Sequence, residues 1–218
     1  MKNDEVEFIG KITAGVTHEV NNVLASIREI SGLLTDILSI TDEKSFPRKE
    51  KFQTSLEKIQ NQVQRGVKLT SQLNKFSHLS DSNKTEIDLN DSIDHLIFLT
   101  ERFARIKNVS LIHQLSNQTV TLISDPLKLQ MALFICIAYL LNHLSNGGEI
   151  SFSQEKKGNE CLIGISCKEE ILNKQTIFKD SSSIEELVSL KLIMENLNGA
   201  YEFDELNTVI ILKIPVNK

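Results

Sequence analysis

The sequence has few of the residues that break or cross-link a chain. It contains no tryptophan, three prolines, nine glycines and three cysteines among 218 residues. So few prolines and glycines leave little room for a long flexible linker. Cys136, Cys161 and Cys167 are odd in number, sit in apolar segments and match no zinc or disulfide spacing. We therefore interpret them as reduced core residues and predict no metal site.

Neither a basic surface nor a membrane segment is evident. The net charge is -5, and no stripe of lysine or arginine with interleaved aromatic residues occurs, which argues against a nucleic-acid partner. The longest apolar candidate, residues 131–141, is too short to span a bilayer. The N-terminal MKNDEVEF is acidic and lacks the apolar core of a signal peptide. We expect a cytoplasmic protein that makes no membrane contact.

Apolar residues in the first part of the chain recur with helical spacing. One row lies at Ile9, Val16, Val23, Ile30 and Ile37, and a second lies at Val20, Ile27 and Leu34. The pattern pauses near Pro47, resumes at Phe52, and weakens at Gly66 and Thr70. This spacing predicts a hairpin of two long helices, each with one apolar stripe. Two such hairpins bury both stripes in a four-helix bundle, so we predict a homodimer.

The polar string SDSNKT at residues 80–85 marks a change in character. We place the domain boundary there, with a helical domain at 1–80 and a second domain at 81–218. In the second domain, short strands alternate with helices that are predicted near 89–107, 125–144 and 184–197. The overall prediction is an α+β protein, whose second domain is a sandwich of one antiparallel or mixed sheet with helices on one face.

The string GVTHEVNNVLA at residues 15–25 puts an imidazole on a helix. If each residue turns the helix by about 100°, His18 lies about 160° from Val16 and Val20 and faces solvent. The residues nearest to it on that face are small or polar: Lys11, Ala14, Gly15, Asn21, Asn22 and Ala25. A face so low in bulk lets another protein approach the imidazole closely, so we predict that these residues bind a partner.

An exposed imidazole is a competent nucleophile and leaving group. The functional interpretation is therefore a histidine that carries a phosphoryl group. The alternative is an exposed helical histidine without a role, beside a surface carboxylate at Glu19 and two weak helix formers at Asn21 and Asn22. The residues around His18 decide between the two interpretations.

The longer string GKITAGVTHEVNNVLASI resembles the phospho-acceptor box of the sensor histidine kinases, matching it at His18, Glu19, Asn22, Leu24 and Ala25. The family often has proline where this chain has Val23. The layout is also similar, with a dimerising helical hairpin followed by a GHKL or Bergerat-type ATP-binding α/β sandwich. The string DPLKLQ at residues 125–130 looks like the lead-in to the first nucleotide helix of that domain. The likeness covers nearly the whole chain.

The resemblance implies a role for each residue of the box. His18 is the phospho-acceptor, Glu19 acts as a base during autophosphorylation, and Asn22 positions water or the incoming group. A carboxylate beside the imidazole also favours its protonated form and fixes its tautomer. The reacting ring nitrogen cannot be read from the sequence.

The nucleotide-binding residues of the family are missing from the second domain. Aligned from Asp125, the two asparagines of the first nucleotide helix fall on Ile135 and Tyr139, and Asn142 cannot restore the pair. The positions expected to hold an aspartate and glycines read CKEE at 167–170 and DSSSIEE at 180–186. Glycine-free segments cannot wrap phosphates closely, and two glutamates repel a triphosphate. We therefore predict a degenerate domain without a nucleotide cofactor.

This combination is similar to the dimeric histidine phosphotransferases of phosphorelays. We predict that His18 exchanges a phosphoryl group with receiver-domain aspartates of response regulators, and that the receiver supplies the Mg²⁺. One alternative is a divergent ATP-dependent sensor histidine kinase. Another is a non-catalytic pseudokinase that binds two-component partners, and phosphatase activity through Asn22 could accompany the first interpretation.

The remaining candidates have simpler interpretations. His78, His95, His113 and His143 lack metal-ligand spacing, and we assign them structural or surface roles. Asp125 precedes a proline and is interpreted as a helix-start residue rather than a catalyst.

Overall fold

Two long helices begin the chain in the computed structural model. Helix α1 spans Lys2–Ser39 and α2 spans Lys49–Ser77. The two helices form a helical hairpin. The buried positions of α1 recur three and four residues apart, so they lie on one face of the helix. These positions include Ile12, Val16, Glu19, Val23, Leu34 and Ile37. The predicted hairpin is confirmed, and its turn around Pro47 lies outside the described residues.

The structure describes residues 2–39, 49–81, 84–115, 119–144, 147–168, 181–204 and 209–216. The chain divides into two compact units. One is Lys11–Ser77, the hairpin unit, and the other, the α/β unit, combines Met1–Gly10 with His78–Lys218. The first nine residues of α1, up to Gly10, thus group with the α/β unit, whereas the sequence-based division into 1–80 and 81–218 places them in the helical domain.

The α/β unit contains three long or medium helices and seven strands among its described residues. The helices are α3 (Leu89–Ile106), α4 (Pro126–His143) and α5 (Ser181–Asn196). The strands are β1 (Thr85–Asp88), β2 (Val109–His113), β3 (Thr121–Ser124), β4 (Gly148–Lys157), β5 (Glu160–Cys167), β6 (Ala200–Asp204) and β7 (Val209–Pro215). A short 3-10 turn at Leu79–Asp81 precedes β1.

Five of these strands form a mixed sheet in the order β2-β4-β5-β7-β6. Strand β2 runs parallel to β4, and the other neighbours are antiparallel, so the sheet is mixed, one of the two arrangements that the sequence allowed. Alternate residues of β5 and β7, such as Ile163 and Leu212, are fully buried, so one face of the sheet packs against the core. Strands β6 and β7 are antiparallel neighbours in this sheet.

Strand β1 pairs with β3 in a separate two-stranded sheet, which corrects the prediction of a single sheet. The sequence gives little sign of β1, because its residues are TEID and only Ile87 is buried. Alternation of apolar and polar residues over so short a segment is not distinguishable from a polar connection. The pairing register joins Ile87 to Leu122, which is also buried.

Side-chain caps fix the starts of the two central helices. The Asp88 carboxylate accepts hydrogen bonds from the backbone N–H groups of Asn90 and Asp91 and so caps the N-terminus of α3. Asp125 caps α4 by accepting from the backbone N–H of Lys128, as predicted, and Pro126 occupies the first helical position. At the end of α5, Asn198 has a positive φ of 54°, the left-handed conformation of a helix C-cap.

Helix α4 is the central helix of the α/β unit. It is long and apolar enough by composition to cross a membrane, but 72% of that stretch is buried inside the protein. A helix that is apolar on most of its sides is expected to be buried in the core of a domain. At the start of the chain, the buried Phe8 packs against α4, with its ring centroid 5.3 Å from that of Phe134.

Candidate functional site

His18 lies on the solvent-exposed side of α1, as the helical wheel predicts. The neighbours that were placed on the same face are exposed as well, with one exception; the exposed ones are Lys11, Ala14, Asn21, Asn22 and Ala25. Gly15 is buried, which corrects its placement on this face. It lies three residues after Ile12 and four before Glu19, within the buried stripe, and it has no side chain that could reach solvent.

Asn22 joins His18 to Glu19 on the surface of α1. Its side-chain amide nitrogen, Nδ2, lies 3.1 Å from His18 Nδ1 and 3.4 Å from Glu19 Oε1. The spacing of four and three residues brings these groups together on one helix face. An amide nitrogen has two hydrogens, so it can donate to both acceptors at once. The three residues that the sequence assigned to catalysis therefore form one hydrogen-bonded group.

Glu19 is buried although it carries a charged group. Only 7% of the residue is exposed, and its Oε2 atom lies 3.0 Å from Nη2 of Arg65 on α2. A carboxylate removed from water needs an ionic or hydrogen-bonding partner, and Arg65 provides one. The Arg65 side chain keeps 44% of its surface exposed, so the guanidinium reaches the carboxylate from the edge of the hairpin.

Arg65 is the member of this site that sequence reasoning missed. The available signal was Glu19 itself, which falls within the buried spacing of α1 and so required a partner from another element. The neighbouring Gly66 was recorded only as a weak point in the apolar stripe of α2. In the structure a Cβ atom at Gly66 would lie 3.3 Å from Val23 Cγ1, so glycine permits close contact of the two helices beside the ion pair.

In the α/β unit, Ile135 and Tyr139 are the helix positions that the sequence analysis aligned with the two asparagines of the kinases it resembles. Tyr139 is 1% exposed. Its ring centroid lies 5.9 Å from that of Phe203 in an edge-to-face arrangement and 4.4 Å from the imidazole of His143. His143 Nδ1 is also 2.6 Å from the carbonyl oxygen of Tyr139. This helix position is therefore part of a packed aromatic cluster.

The other residues considered for a nucleotide site are placed as follows. Asn142 is exposed and donates to Glu186 Oε1 of α5 at 3.0 Å, which connects the two helices. Residues 169–180, which include Glu169, Glu170 and Asp180, lie outside the described residues. The Asp125 carboxylate caps α4 and pairs with Lys128 Nζ at 2.6 Å, as expected of a helix-start residue.

No group of three or more histidine, cysteine or carboxylate side chains suited to a metal ion occurs in the part of the chain that the structure describes. His78 pairs with Asp81 and His113 with Asp94, each at 2.7 Å, and His95 is buried. The three cysteines are free and buried, as the sequence indicated. Burial raises the pKa of the Cys161 thiol to about 12 and that of Cys136 still further, so both are neutral.

No protein-family profile and no curated protein matches this sequence. Solved structures of histidine kinases are nevertheless similar in fold. The catalytic domain of histidine kinase ThkA aligns with a TM-score of 0.52 at 17% identity, covering 62% of this chain and 98% of that one. A histidine kinase from Burkholderia phymatum aligns with a TM-score of 0.51 at 11% identity, covering 93% and 98% of the two chains.

The histidine kinase AdeS from Acinetobacter baumannii also aligns, with a TM-score of 0.50 at 17% identity over 88% of this chain and 97% of that one. The predicted resemblance to a sensor histidine kinase core is thereby confirmed for the fold. The chain has a long N-terminal helix and an α/β domain with the architecture of the histidine kinase ATPase domain. At such low identities these alignments show only the fold, and any activity has to be argued from the side chains of this chain.

Proposed function

We propose that this protein is a phosphorelay histidine phosphotransferase. In this proposal His18 accepts a phosphoryl group from the aspartyl phosphate of one receiver domain and donates it to the aspartate of another. The observation that carries the proposal is the solvent-exposed imidazole of His18, hydrogen-bonded to Asn22 and set on a face of small and polar residues. Such a site can act without moving a lid, because the reacting group already faces the partner.

The chemistry requires little from this chain. A ring nitrogen of His18 attacks the phosphorus, a P–N bond forms, and the P–O bond to the partner's aspartate breaks with its electron pair left on the carboxylate. The receiver brings the Mg²⁺ and the aspartate, and the hairpin supplies an oriented imidazole and a docking face. Return of the phosphoryl group to a second receiver follows the same steps in reverse.

The packed state of Tyr139 supports a function without ATP. A tyrosine enclosed by Phe203 and His143 presents bulk where the resembling kinases have an amide that reaches the metal and phosphates. The same feature fits a pseudokinase, which would bind two-component partners without transferring phosphate. His18, Glu19 and Asn22 favour transfer over mere binding, because a scaffold needs no hydrogen-bonded imidazole.

Assembly as a homodimer is part of the proposal. Within the hairpin unit several large apolar side chains are exposed in the single chain, each by about half or more: Leu24, Leu33, Leu56, Val63 and Val67. A helical hairpin with this much exposed apolar surface is stabilised when a second copy covers it as a four-helix bundle. Receiver partners act in the cytoplasm, so we also propose a cytoplasmic location.

Phosphoryl transfer from a labelled receiver tests the function. A panel of receiver domains, each phosphorylated with labelled phosphate, should include one that labels the wild-type protein but not His18→Ala. Labelled ATP with Mg²⁺ should leave the wild-type protein unlabelled. Labelling by ATP alone would establish a kinase instead. Receivers that bind the protein without transferring label to His18 would establish a pseudokinase.

A further inference from the structure

The ionisation of Glu19 and the choice of the protonated ring nitrogen on His18 are linked through the side-chain amide of Asn22. Asn22 Nδ2 lies within hydrogen-bond distance of both Glu19 Oε1, at 3.4 Å, and His18 Nδ1, at 3.1 Å. An ionised carboxylate accepts hydrogen bonds and cannot donate them, so it favours the NH₂ side of the amide. The same NH₂ group then faces His18, whose Nδ1 must accept.

An accepting Nδ1 defines the tautomer of the neutral ring. The lone pair is on Nδ1, beneath the Asn22 amide, and the hydrogen is on Nε2. In this tautomer Nε2 cannot attack a phosphoryl group, since it has no free lone pair. The ring becomes reactive at Nε2 when Nδ1 carries the hydrogen, which requires the Asn22 amide to turn and present its oxygen.

Arg65 favours the first of these states, because its guanidinium pairs with the ionised form of Glu19. Its Nη2 atom lies 3.0 Å from Glu19 Oε2, and the carboxylate side chain is 9% exposed. Without Arg65 a carboxylate at this burial takes up a proton more readily. A protonated Glu19 can donate to the oxygen of a turned Asn22 amide, and that oxygen accepts from Nδ1–H of His18.

We propose that Arg65 is a positioning residue that holds His18 in a resting tautomer through Glu19 and Asn22. The proposal rests on the phosphotransfer function and adds its regulation. Because 44% of the Arg65 side chain is exposed, an anionic group on a docked partner can compete with Glu19 for the guanidinium. Partner docking would then release the imidazole at the moment when it is needed.

Nitrogen-15 NMR of the histidine ring tests the proposal without any receiver. The wild type at neutral or slightly alkaline pH should show the Nε2–H form of His18, and Arg65→Lys should resemble it because it keeps the charge. Arg65→Met should move the ring toward the Nδ1–H form. The matched control is Arg28→Met, which removes an exposed arginine of α1 and should leave the spectrum unchanged. An unaltered tautomer in folded Arg65→Met would overturn the proposal.

Labelling with phosphoramidate, a small phosphoryl donor, gives a second measurement, with His18→Ala as the background. Arg65→Met should accept phosphate about three- to tenfold faster than the wild type, the factor that corresponds to one typical hydrogen bond. Asn22→Leu, at an exposed position, should have a similar effect, and Arg65→Met should add nothing in that variant. If the effects of Asn22→Leu and Arg65→Met on the labelling rate add up in the double variant, the proposed connection from Arg65 to His18 through Asn22 is wrong. Failure of every receiver to transfer phosphate would refute the proposed function while leaving both measurements interpretable.

Discussion

Gly66 of α2 faces Val23 of α1 so closely that a Cβ atom added to the glycine would lie 3.3 Å from Val23 Cγ1. Contacts this short leave little room for a methyl group unless the valine shifts. The close contact also lies beside the pair formed by Glu19 and Arg65. The packing of the hairpin and the chemistry of its histidine face therefore depend on the same part of the helix interface.

Alanine substitution of two helical glycines should reveal this contact. Gly32→Ala introduces a Cβ with nothing within 4 Å, so it should stabilise the protein by about 1 kcal/mol through helix propensity. Gly66→Ala should gain clearly less, because part of the benefit is lost to overpacking against Val23. Urea unfolding measures both values. If Val23→Ala restores the full gain in unfolding free energy for Gly66→Ala, the contact with Val23 is the cause of the loss. Equal gains at both glycines would show that the helix interface accommodates the added methyl group without cost.

Tyr139→Ala should destabilise the α/β unit by about 3 kcal/mol or more, the usual cost of removing a buried aromatic ring. The lost contacts are those with Phe203 and His143. Calorimetry with Mg²⁺ and ATP should show no binding to the wild type. Tyr139→Asn should also fail to bind, since one amide replaces neither the missing glycines nor the second asparagine. Tight nucleotide binding by the wild type would contradict the proposed loss of the cofactor.

A charge introduced into the exposed apolar surface of the hairpin should separate the proposed dimer. Val67 is 63% exposed in the single chain, and Val67→Glu would bury a carboxylate in the bundle if a second copy covers it. Sedimentation should then show a dimer for the wild type and a monomer for the variant. Val188→Glu, at a 52% exposed position in α5, is the matched control and should remain dimeric. A monomeric wild type at micromolar concentration would exclude the four-helix bundle.

The buried thiols predict how stability changes at high pH. Burial raises the pKa of Cys161 to about 12 in the folded chain, from 9.0 for an ordinary thiol, and that of Cys136 further. Below about pH 9 both the folded and the unfolded chain keep their thiol protons, and the stability that comes from burying neutral thiols is fully present. Above about pH 9 the unfolded chain releases thiol protons that the folded chain retains. Stability should therefore fall as the pH rises from about 9 toward 12.

Urea unfolding across that pH range measures the effect. A Cys136→Val and Cys161→Val double variant should lose stability less steeply with pH, because it has fewer thiols to titrate on unfolding. If stability falls equally steeply with pH in the wild type and in the double variant, groups other than these two thiols cause the fall. In the native state, alkylating reagents near neutral pH should leave Cys136 and Cys161 unmodified, since the reactive form is the thiolate.

Much of the fold was predictable because its elements carry strong local signals. The spacing of apolar residues located α1 and α2, and Asp125 followed by Pro126 located the start of α4. Strand β1 was not predictable, since four residues with one buried side chain give no periodicity to detect. Its pairing with β3 depends on contacts about 35 positions away along the chain, as in the register of Ile87 with Leu122.

The site was predictable only where it lies on a single helix. Helical spacing placed His18 and Asn22 on one face, and the structure joins them. The role of Arg65 could not be deduced, because the pairing of α1 with α2 fixes which residue of α2 faces Glu19. The burial of Gly15 likewise depends on the partner helix, since a wheel drawn for an isolated helix contains no information about the position of its neighbour.

The contact between Phe8 and Phe134 affects how the molecule is made. Phe8 emerges from the ribosome long before α4, so its ring has no place to pack until α4 has been synthesised. The α/β unit therefore combines segments that lie far apart in the sequence, and its core closes only after β7 has been synthesised. Chaperone binding to the early nascent helix would protect this aromatic side chain during that interval.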